Sequence, residues 1–457
     1  MGSTKKGKKL LYSLALIPLL IIFIVFGWFF VIMFEGEKPT LVLEPLPEFL
    51  SKPQAFTISI SDKKRGVKSL KVTIGQGARE RTLFEEKFPF NGLFNRKGVH
   101  RYEKEFSIDP AALKLAQGQA DLNIRVWDYS RRGGGDGNLT LAHHKMVVDT
   151  IPPAIRAISR MHNINVGGSG LIVYQTSSDA AESGIFVDDL FFPGFARDGD
   201  LEKGMHTCYF AIPYSTTSDP SIHLWAKDKA GNVSKTTFYH YLRSKRFRQD
   251  QMNITDRFLA LILPSFSHLP FGAQDSDIEK YLKINNELRE ESHLSLSKLR
   301  EKTGPKKRWE GVWLRLTNAA TMAQFGDRRL YYYKGNKVDE QDHLGIDLAS
   351  LANSPVQASN SGRVIFADSL GIYGLTVVID HGQGLSSLYA HLSKIAVALD
   401  QEVQKGNEIG YTGQTGLAGG DHLHFSIMVN GVFVNPIEWW DPHWLEDNIS
   451  KKLALIQ

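Results

Sequence analysis

The sequence predicts a mainly β protein that starts with a membrane-spanning helix and continues with two β-sandwich domains, a helical linker and a compact antiparallel β domain. Three observations support this prediction. One long uncharged apolar segment lies near the start, short alternating apolar segments between residues 40 and 241 repeat once, and further short alternating segments fill the C-terminal third. At 457 residues the chain is long enough for several domains, and its 42% hydrophobic and 23% charged composition is that of a folded protein.

The first 34 residues predict a short basic tail, residues 1–9, and a transmembrane helix, residues 10–34. The 25 residues from Leu10 to Phe34 contain no charged side chain, and about 20 are enough to cross a bilayer. A secretory signal peptide would have a shorter apolar region of about 7 to 15 residues and a small-residue cleavage site. Lysines precede the segment and glutamates follow it, so we expect an uncleaved anchor with a cytoplasmic N-terminus.

Residues 39–150 and 151–245 predict two β-sandwich domains in tandem. Leu122–Asp128 aligns with Ile222–Asp228 at a shift of 100 residues, and Pro152 and Pro153 stiffen the connection between the two copies. A period near 100 residues, with strand-length alternation in each copy, indicates domains of immunoglobulin type. The sequence favours a spacer function for them and leaves open a recognition module.

The charge and cysteine content restrict the partners and the ligand types. Four of the positive charges behind the formal net charge of +5 lie in the basic tail, so the remaining chain is nearly neutral. A nucleic-acid-binding protein carries its basic excess on a folded domain, and we expect no nucleic acid among the partners. Cys208 is the only cysteine, so any metal must be bound through nitrogen and oxygen atoms.

Residues 251–308 predict a helical linker. Ser276 and Glu279 form a capping-box signature at its start, and apolar residues follow at helical spacing with charges between them. We expect a helix of about 25 residues that ends at Thr303–Pro305. Its narrow apolar stripe indicates packing against a domain or a partner helix, and the sequence does not decide between these.

The residues suited to metal chemistry lie in the predicted C-terminal domain, residues 309–445. Side chains alternate along an extended chain, so His343 and Asp347 of HLGID share a face, as do His422 and His424 of HLHF. His391 in LYAHL is a third strand histidine. Catalytic zinc is commonly held by three protein ligands, among them imidazole nitrogens and carboxylate oxygens, while water takes the fourth position. The three phrases together predict such a site.

Further phrases accompany these histidines: SGRVIFA at residues 361–367, VVIDHG at 377–382, QKGNEIGYTGQTG at 404–416 and GGDHLHF at 419–425. With them, the stretch from about residue 326 to residue 441 resembles the lysostaphin or LytM-type zinc endopeptidases, which cut peptidoglycan peptides. This resemblance implies one zinc ion per chain, bound by His343, Asp347 and His424. It also implies acid–base and transition-state roles for His422 and His391.

The resemblance implies a zinc metalloendopeptidase that hydrolyses stem or cross-link peptides of peptidoglycan. With the predicted topology, it implies a single-pass protein of the bacterial inner (cytoplasmic) membrane whose catalytic domain is extracytoplasmic, or periplasmic. The expected partners are peptidoglycan peptides and the membrane; the sequence identifies no envelope protein partner. Two alternatives stay open: a non-catalytic wall-binding module or amidase activator built on the same domain, and a zinc peptidase that acts on peptides outside the wall. Loss of ligands would indicate the first, and no ligand is lost.

Overall fold

The structure is a computed structural model that describes residues 4–196, 204–217 and 219–456, with side chains from residue 16 onward. The chain forms two compact units. The first unit contains Met1–Ile151 and Lys229–Asn232, and the second contains Pro152–Asp228 and Val233–Gln457. The finer domain boundaries given by the sequence, within and between these units, stay predictions.

The N-terminal helix runs Thr4–Met33, and its stretch Leu16–Met33 is apolar and long enough to cross a membrane. A loop of the first unit caps its end. Arg131 N donates to Met33 O over 2.8 Å, and Arg132 Nε donates to Phe34 O over 2.8 Å. The last carbonyl groups of a helix have no partner within the helix, so these two bonds join the helix end directly to the β structure that follows.

Two sheets form the remainder of the first unit. One contains three antiparallel strands, Thr40–Glu44, Gln54–Ser61 and Arg101–Ile108. The other contains five, in the spatial order Phe49–Leu50, Leu139–Val148, Gly118–Asp128, Val67–Gln76 and Arg79–Lys87. Alternate residues of both sheets, among them Ile58, Val72 and Ile124, share one buried core. The predicted sandwich architecture is therefore present here, whereas its immunoglobulin type stays a prediction.

The first part of the second unit is also built from strands. One sheet contains Phe195–Ala196, Met205–Ala211, Ser169–Thr176 and Ile155–Ala157; another contains Leu190–Pro193, Ala180–Val187, Ile222–Asp228 and Val233–Thr236; and His162–Asn165 pairs with His240–Arg243. Ile222–Asp228 pairs with Val233–Thr236 as Gly118–Asp128 pairs with Leu139–Val148. Both copies of the predicted repeat thus form a strand, a turn and an antiparallel strand.

The predicted helix after the capping box is present. Ser276 Oγ accepts a hydrogen bond from Glu279 N, and the Glu279 carboxylate accepts one from Ser276 N. Before it lie the strand Gln249–Ile254, the α-helix Asp256–Ile262 and the 3-10 turn Leu263–Phe266. Its segments are the α-helix Asp277–Lys283, the π-helix Ile284–Leu288, the α-helix Arg289–Lys298 and the 3-10 turn Leu299–Lys302. Leu296 and Leu299 are buried in the core of the second unit, so this helix packs against the C-terminal β structure.

An eight-stranded antiparallel sheet is the main element of the C-terminal segment. Its strands follow the spatial order Ala320–Ala323, Ile346–Ala349, Leu423–Val429, Leu385–Leu392, Gly374–Gly382, Gly362–Leu370 and Glu402–Val403, with Val432–Val434 paired to Leu423–Val429. Two three-stranded sheets flank it: Gln249–Ile254 with Arg328–Tyr333 and Asn336–Asp342, and Pro355–Gln357 with Glu408–Tyr411 and Lys394–Ile395. The eight-stranded sheet brings the three histidine phrases together.

Short helical turns complete the second unit and the loops of the first. They are Leu93–Asn95, Gly133–Gly135, Gly371–Tyr373, Ile437–Trp440, Pro442–Leu445, Glu446–Ser450, Lys451–Leu453 and Ala454–Ile456. Trp439 is fully buried, and its ring lies 5.5 Å from that of Trp309 and 6.2 Å from that of Tyr209. Trp439 therefore anchors the C-terminal tail in the core of the second unit.

One hydrophobic core extends through the second unit, from its first β region to its C-terminal sheet. A buried polar contact accompanies this core. Glu438 accepts hydrogen bonds from Asn165 Nδ2 over 2.8 Å and from Ser169 N over 2.9 Å. The first β region and the C-terminal sheet are therefore packed as one body rather than joined only by the chain.

Candidate metal centre

Strand pairing places the predicted ligands side by side. Asp347 lies on the strand Ile346–Ala349, directly opposite His424 on the neighbouring strand, and His424 in turn lies opposite Ala390, the residue before His391. His343 precedes the Asp347 strand. The ladder of the sheet, rather than sequence proximity, thus brings HLGID, LYAHL and HLHF to one place.

Gly345 allows the close approach that this arrangement needs. A Cβ atom at this position would lie 2.5 Å from His424 Nε2 and 2.6 Å from Ser426 Oγ, which is closer than van der Waals contact permits. The glycine between His343 and Asp347 therefore keeps space for the imidazole of His424. The sequence predicts that His343 and Asp347 share a face, and the structure shows that His424 occupies the space beside Gly345.

Three side-chain atoms converge at the centre of the site. His343 Nε2 lies 2.8 Å from Asp347 Oδ1 and 3.0 Å from His424 Nδ1, and His424 Nδ1 lies 2.9 Å from the same oxygen. The three residues are buried, with 6%, 8% and 5% of the surface of His343, Asp347 and His424 exposed. Two nitrogens and one oxygen at such distances form a group that suits a metal ion.

The hydrogen bond made by the other nitrogen of each imidazole determines whether the facing nitrogen carries a proton or a lone pair. His343 Nδ1 lies 2.9 Å from the carbonyl oxygen of Gln324, which can only accept, so Nδ1 carries the proton. Ser426 Oγ donates to Leu344 O and therefore accepts from His424 Nε2. His343 Nε2, His424 Nδ1 and Asp347 Oδ1 are then three lone-pair atoms that face one another. A proton or a metal ion between them compensates this repulsion, and two nitrogens with one oxygen are a donor set that fits a bound metal.

His391 and His422 lie beside this group with free lone pairs. Each donates its Nδ1 proton to a backbone carbonyl over 2.8 Å, His391 to Thr415 and His422 to Gly420. His422 Nε2 lies 3.6 Å from Asp347 Oδ1, and the two imidazole centroids are 4.9 Å apart. His391 has a positive φ of 61°, a sparsely populated conformation for non-glycine residues.

Burial and neighbouring charges shift the pKa values of the site. Burial lowers the pKa of His424 to about 4, which keeps its ring neutral at pH 7. Burial, together with His422 and His424, also lowers the pKa of His391. Burial raises the pKa of Asp347, but the effects of His343 and His424 are larger in sum and hold it well below its ordinary value. The site therefore presents an ionised carboxylate at Asp347 and a neutral imidazole at His424, the forms that bind metal.

Arg329 is a site residue that the sequence did not predict. Its Nη2 lies 2.8 Å from Asp347 Oδ2, the oxygen that faces away from the two histidines. The guanidinium thus orients the carboxylate and leaves Oδ1 for the centre of the site, as supporting residues of metal ligands do. Arg329 lies in the phrase RRLYYY, outside the histidine phrases, and the fold brings its side chain to Asp347.

A cavity of about 440 Å³ opens over the site. It is lined by the five predicted site residues, by Phe258, Tyr281 and Arg289 from the segment before the C-terminal sheet, and by Arg329 and Tyr373. The segment before the C-terminal sheet therefore forms part of the wall of the site.

His381 lies outside this cavity lining. Its two ring nitrogens contact Ser361 O and Ser387 Oγ over 2.7 Å within the core.

Comparison with known proteins identifies this part of the chain. Residues 341–436 match the model of Peptidase family M23. The DD-carboxypeptidase/endopeptidase Mpg of Neisseria meningitidis serogroup B is 43% identical over 95 residues, which cover 21% of this chain and 22% of that protein. The murein hydrolase activator EnvC of Escherichia coli is 38% identical over 95 residues, covering 21% and 23%. A putative M23 peptidase structure from Pseudomonas aeruginosa has 22% identity and a TM-score of 0.38 over 60% of this chain and 93% of that one.

The chain therefore carries an M23 peptidase domain, and the resemblance to the lysostaphin and LytM-type enzymes is confirmed. This domain contains all five residues that the sequence singles out. The chain spans about a fifth of the length of the curated relatives it matches. The comparisons with those relatives consequently concern the M23 domain, and the remaining segments lie outside them.

Proposed function

We propose that this chain is a membrane-anchored zinc metalloendopeptidase that hydrolyses peptide bonds in stem or cross-link peptides of peptidoglycan. The observation that carries the proposal is the convergence of three lone-pair atoms, from His343, Asp347 and His424, beside two further imidazoles with free Nε2 atoms. The first group suits one zinc ion per chain, and the second group suits proton transfer. The relative Mpg, named a DD-carboxypeptidase/endopeptidase, supports peptidoglycan peptides as the substrate.

Each site residue then has a defined task. His343, Asp347 and His424 hold the zinc ion, which when bound polarises a water molecule and the scissile carbonyl group. His422 Nε2 accepts a proton from the attacking water, because its Nδ1 proton is committed to Gly420, and returns it to the departing amine nitrogen. His391 stabilises the oxyanion after taking up a proton at Nε2. Arg329 keeps Asp347 in place.

The location follows from the N-terminal helix. We place the stretch Leu16–Met33 in the bacterial inner membrane, with the N-terminus in the cytoplasm and the M23 domain outside it, because lysines precede the helix and glutamates follow it. This arrangement brings the catalytic domain into the compartment that contains peptidoglycan. The first β regions then lie between the membrane and the M23 domain along the chain.

A second candidate function is activation of a separate hydrolase. The relative EnvC, named a murein hydrolase activator, favours it. Such a function does not need metal ligands, whereas this chain retains His343, Asp347 and His424 in contact with one another. Catalysis by the chain itself is therefore the proposal we retain.

Digestion of purified sacculi by the full chain tests the function directly. We expect the chain to release soluble muropeptides. Their masses, measured by mass spectrometry, should correspond to fragments produced by hydrolysis of one peptide bond in the peptides of the intact sacculus. A soluble unfolded protein serves as the alternative substrate, and its preferential cleavage would indicate a peptidase that acts outside the wall. No release of muropeptides except in the presence of an added amidase would support the activator.

Variants of the two free imidazoles separate catalysis from metal binding. We expect His422→Ala and His391→Ala to retain zinc and to reduce turnover by about a hundredfold to ten-thousandfold. His443→Ala, in the exposed tail, is the control and should cleave normally. Turnover within a few-fold of the parent would remove the substituted residue from the proposed mechanism.

A further inference from the structure

The helix Asp277–Lys298 supplies one wall of the M23 site. Ser292 Oγ accepts a hydrogen bond from Ile372 N over 3.3 Å, and His293 Nε2 contacts Tyr373 Oη over 3.1 Å. Ile372 and Tyr373 line the cavity, and the ring of Tyr373 lies 5.4 Å from that of His424. This wall therefore stands next to a proposed metal ligand.

A π-helix in this wall precedes an arginine that faces the cavity. The α-helical pattern is interrupted over Ile284–Leu288, and Arg289 follows directly. π-helical turns are rare and occur frequently at functional sites, because the extra residue changes the direction of the side chains that follow. Arg289 lines the same cavity as His391 and His422.

The guanidinium of Arg289 is held in position from one side. Its Nε donates to Asn285 O over 3.0 Å, and its Nη2 donates to Asn285 Oδ1 over 2.6 Å. Asn285 is fully buried, and its Nδ2 donates to Asp339 Oδ2 over 2.7 Å. Asp339 thus fixes Asn285, and Asn285 fixes Arg289, so little side-chain freedom remains to be lost when a ligand binds.

This arginine also retains donors without a protein acceptor. A guanidinium has five N–H groups, and two are used by Asn285. Within residues 4–196, 204–217 and 219–456, no carboxylate lies within 4.0 Å of Arg289 in an ion pair, whereas the other lining arginine, Arg329, is paired with Asp347. A positioned guanidinium with free donors in a substrate cavity matches the planar geometry of a carboxylate.

We propose that Arg289 binds a carboxylate group of the peptide substrate and thereby determines which peptides this site accepts. This inference rests on the proposed peptidase function. The carboxylate has two sources in peptides, the C-terminal end of the chain and an acidic side chain or branch. Arg289 recognises their shared chemistry, and the substrates of the test distinguish them.

Matched peptides measure this selectivity. One pair differs only in a C-terminal carboxylate or amide, and a second pair differs only in a side-chain carboxylate or amide. With the full chain, we expect kcat/KM to favour the carboxylate member of one pair by about 10- to 100-fold, the value of one charge-assisted contact. The pair that shows the preference identifies the source of the carboxylate.

Substitutions assign the preference to Arg289. We expect Arg289→Gln to lower kcat/KM for the carboxylate peptide at least tenfold more than for its amide, mainly through KM. Arg289→Lys should recover part of the loss, because an ammonium keeps the charge but not the bidentate geometry. Arg300→Gln, an exposed arginine in the 3-10 turn that ends the helix, is the control and should leave the preference intact.

Titration calorimetry with the same peptides separates this inference from the proposed function. If no peptide is cleaved, the peptidase proposal is wrong, yet tighter binding of the carboxylate member by the parent than by Arg289→Gln still supports Arg289. Equal losses for carboxylate and amide peptides in Arg289→Gln would show a structural role instead. Parent protein that does not distinguish the members of either pair would overturn the inference.

Discussion

At the scale of single residues, the site is defined by where its protons are. Backbone and hydroxyl acceptors take the N–H groups of the histidines, and this leaves the lone pairs of His343 and His424 directed at Asp347. When neither of the facing nitrogens carries a proton, the contacts among His343 Nε2, His424 Nδ1 and Asp347 Oδ1 are therefore not hydrogen bonds. The arrangement carries an electrostatic cost without a metal ion, so metal binding should also stabilise the fold.

Removal of Asp347 should abolish this metal site. We expect Asp347→Ala to contain much less than one zinc ion per chain after dialysis, because two imidazoles alone leave the triad incomplete. Metal analysis by mass spectrometry gives the stoichiometry, and Asp368→Ala, an exposed residue on a nearby strand, is the control. One tightly held zinc ion in Asp347→Ala would contradict the assigned ligand set.

Arg329 should affect metal binding without contacting the metal. Arg329→Gln removes the partner of Asp347 Oδ2, and we expect the affinity for zinc to fall by about 10- to 100-fold, as for other residues that orient a ligand. Competition with a chelator measures this affinity. Arg328→Gln changes the neighbouring exposed arginine and should have no comparable effect; equal affinities in both variants would argue against an orienting role.

At the scale of elements, the sequence predicts the local patterns and misses the contacts between distant segments. The capping box at Ser276 and the alternation in HLGID and HLHF depend on neighbouring residues, and the corresponding helix and paired ligands are present. Arg329 and Arg289 have no distinguishing local pattern. Their positions depend on strand pairing and on a π-helix, neither of which periodicity reveals. The sequence also did not identify what the helix after Ser276 packs against. The structure shows that it packs on the C-terminal sheet, a contact between distant segments that periodicity does not reveal.

The helical turn Lys451–Leu453 contains a buried lysine that should make stability depend on pH. Lys452 Nζ donates to Leu171 O over 3.0 Å, and burial lowers its pKa from 10.5 to about 8. The unfolded chain therefore binds more protons than the folded chain between about pH 8 and pH 10.5. The contribution of Lys452 is least favourable below pH 8, and stability increases as the pH rises through this window.

Comparison with Lys452→Met isolates this effect. We expect the Tm of the parent, relative to that of Lys452→Met, to rise between pH 8 and pH 10.5 in thermal unfolding. Lys451→Met replaces the adjacent exposed lysine, and its Tm difference from the parent should not show this rise. A Tm difference between the parent and Lys452→Met that stays constant over the whole range would contradict the buried-charge explanation.

At the scale of the whole molecule, the second unit is stabilised as one body. The sequence favours a spacer function for both predicted sandwich domains, but the second of them, residues 151–245, shares its core with the M23 domain. Glu438 accepts bonds from Asn165 and Ser169, and its pKa is raised by burial. Removal of residues 151–245 would expose core residues of the catalytic domain. A deletion would therefore change the stability of the catalytic domain as well as its distance from the membrane.

Substitution of Glu438 tests this coupling. Glu438→Ala leaves the buried donors of Asn165 and Ser169 without an acceptor, and each such loss costs about 1 to 3 kcal/mol. We expect a lower Tm for unfolding of the second unit, measured by calorimetry, and lower activity at temperatures near that Tm. Glu446→Ala, an exposed neighbour, should unfold as the parent does. An unchanged Tm in Glu438→Ala would show that the two regions are not energetically coupled.

The capped end of the N-terminal helix has a mechanical consequence. A flexible linker acts as an entropic spring and lets a domain tumble independently of its anchor, but here Arg131 and Arg132 hold the carbonyl groups of Met33 and Phe34. If the helix is embedded as proposed, a rotation of the helix in the bilayer is transmitted directly to the first unit. The orientation of the first unit then follows that of the helix, and transmembrane helices are tilted from the bilayer normal by about 20° on average.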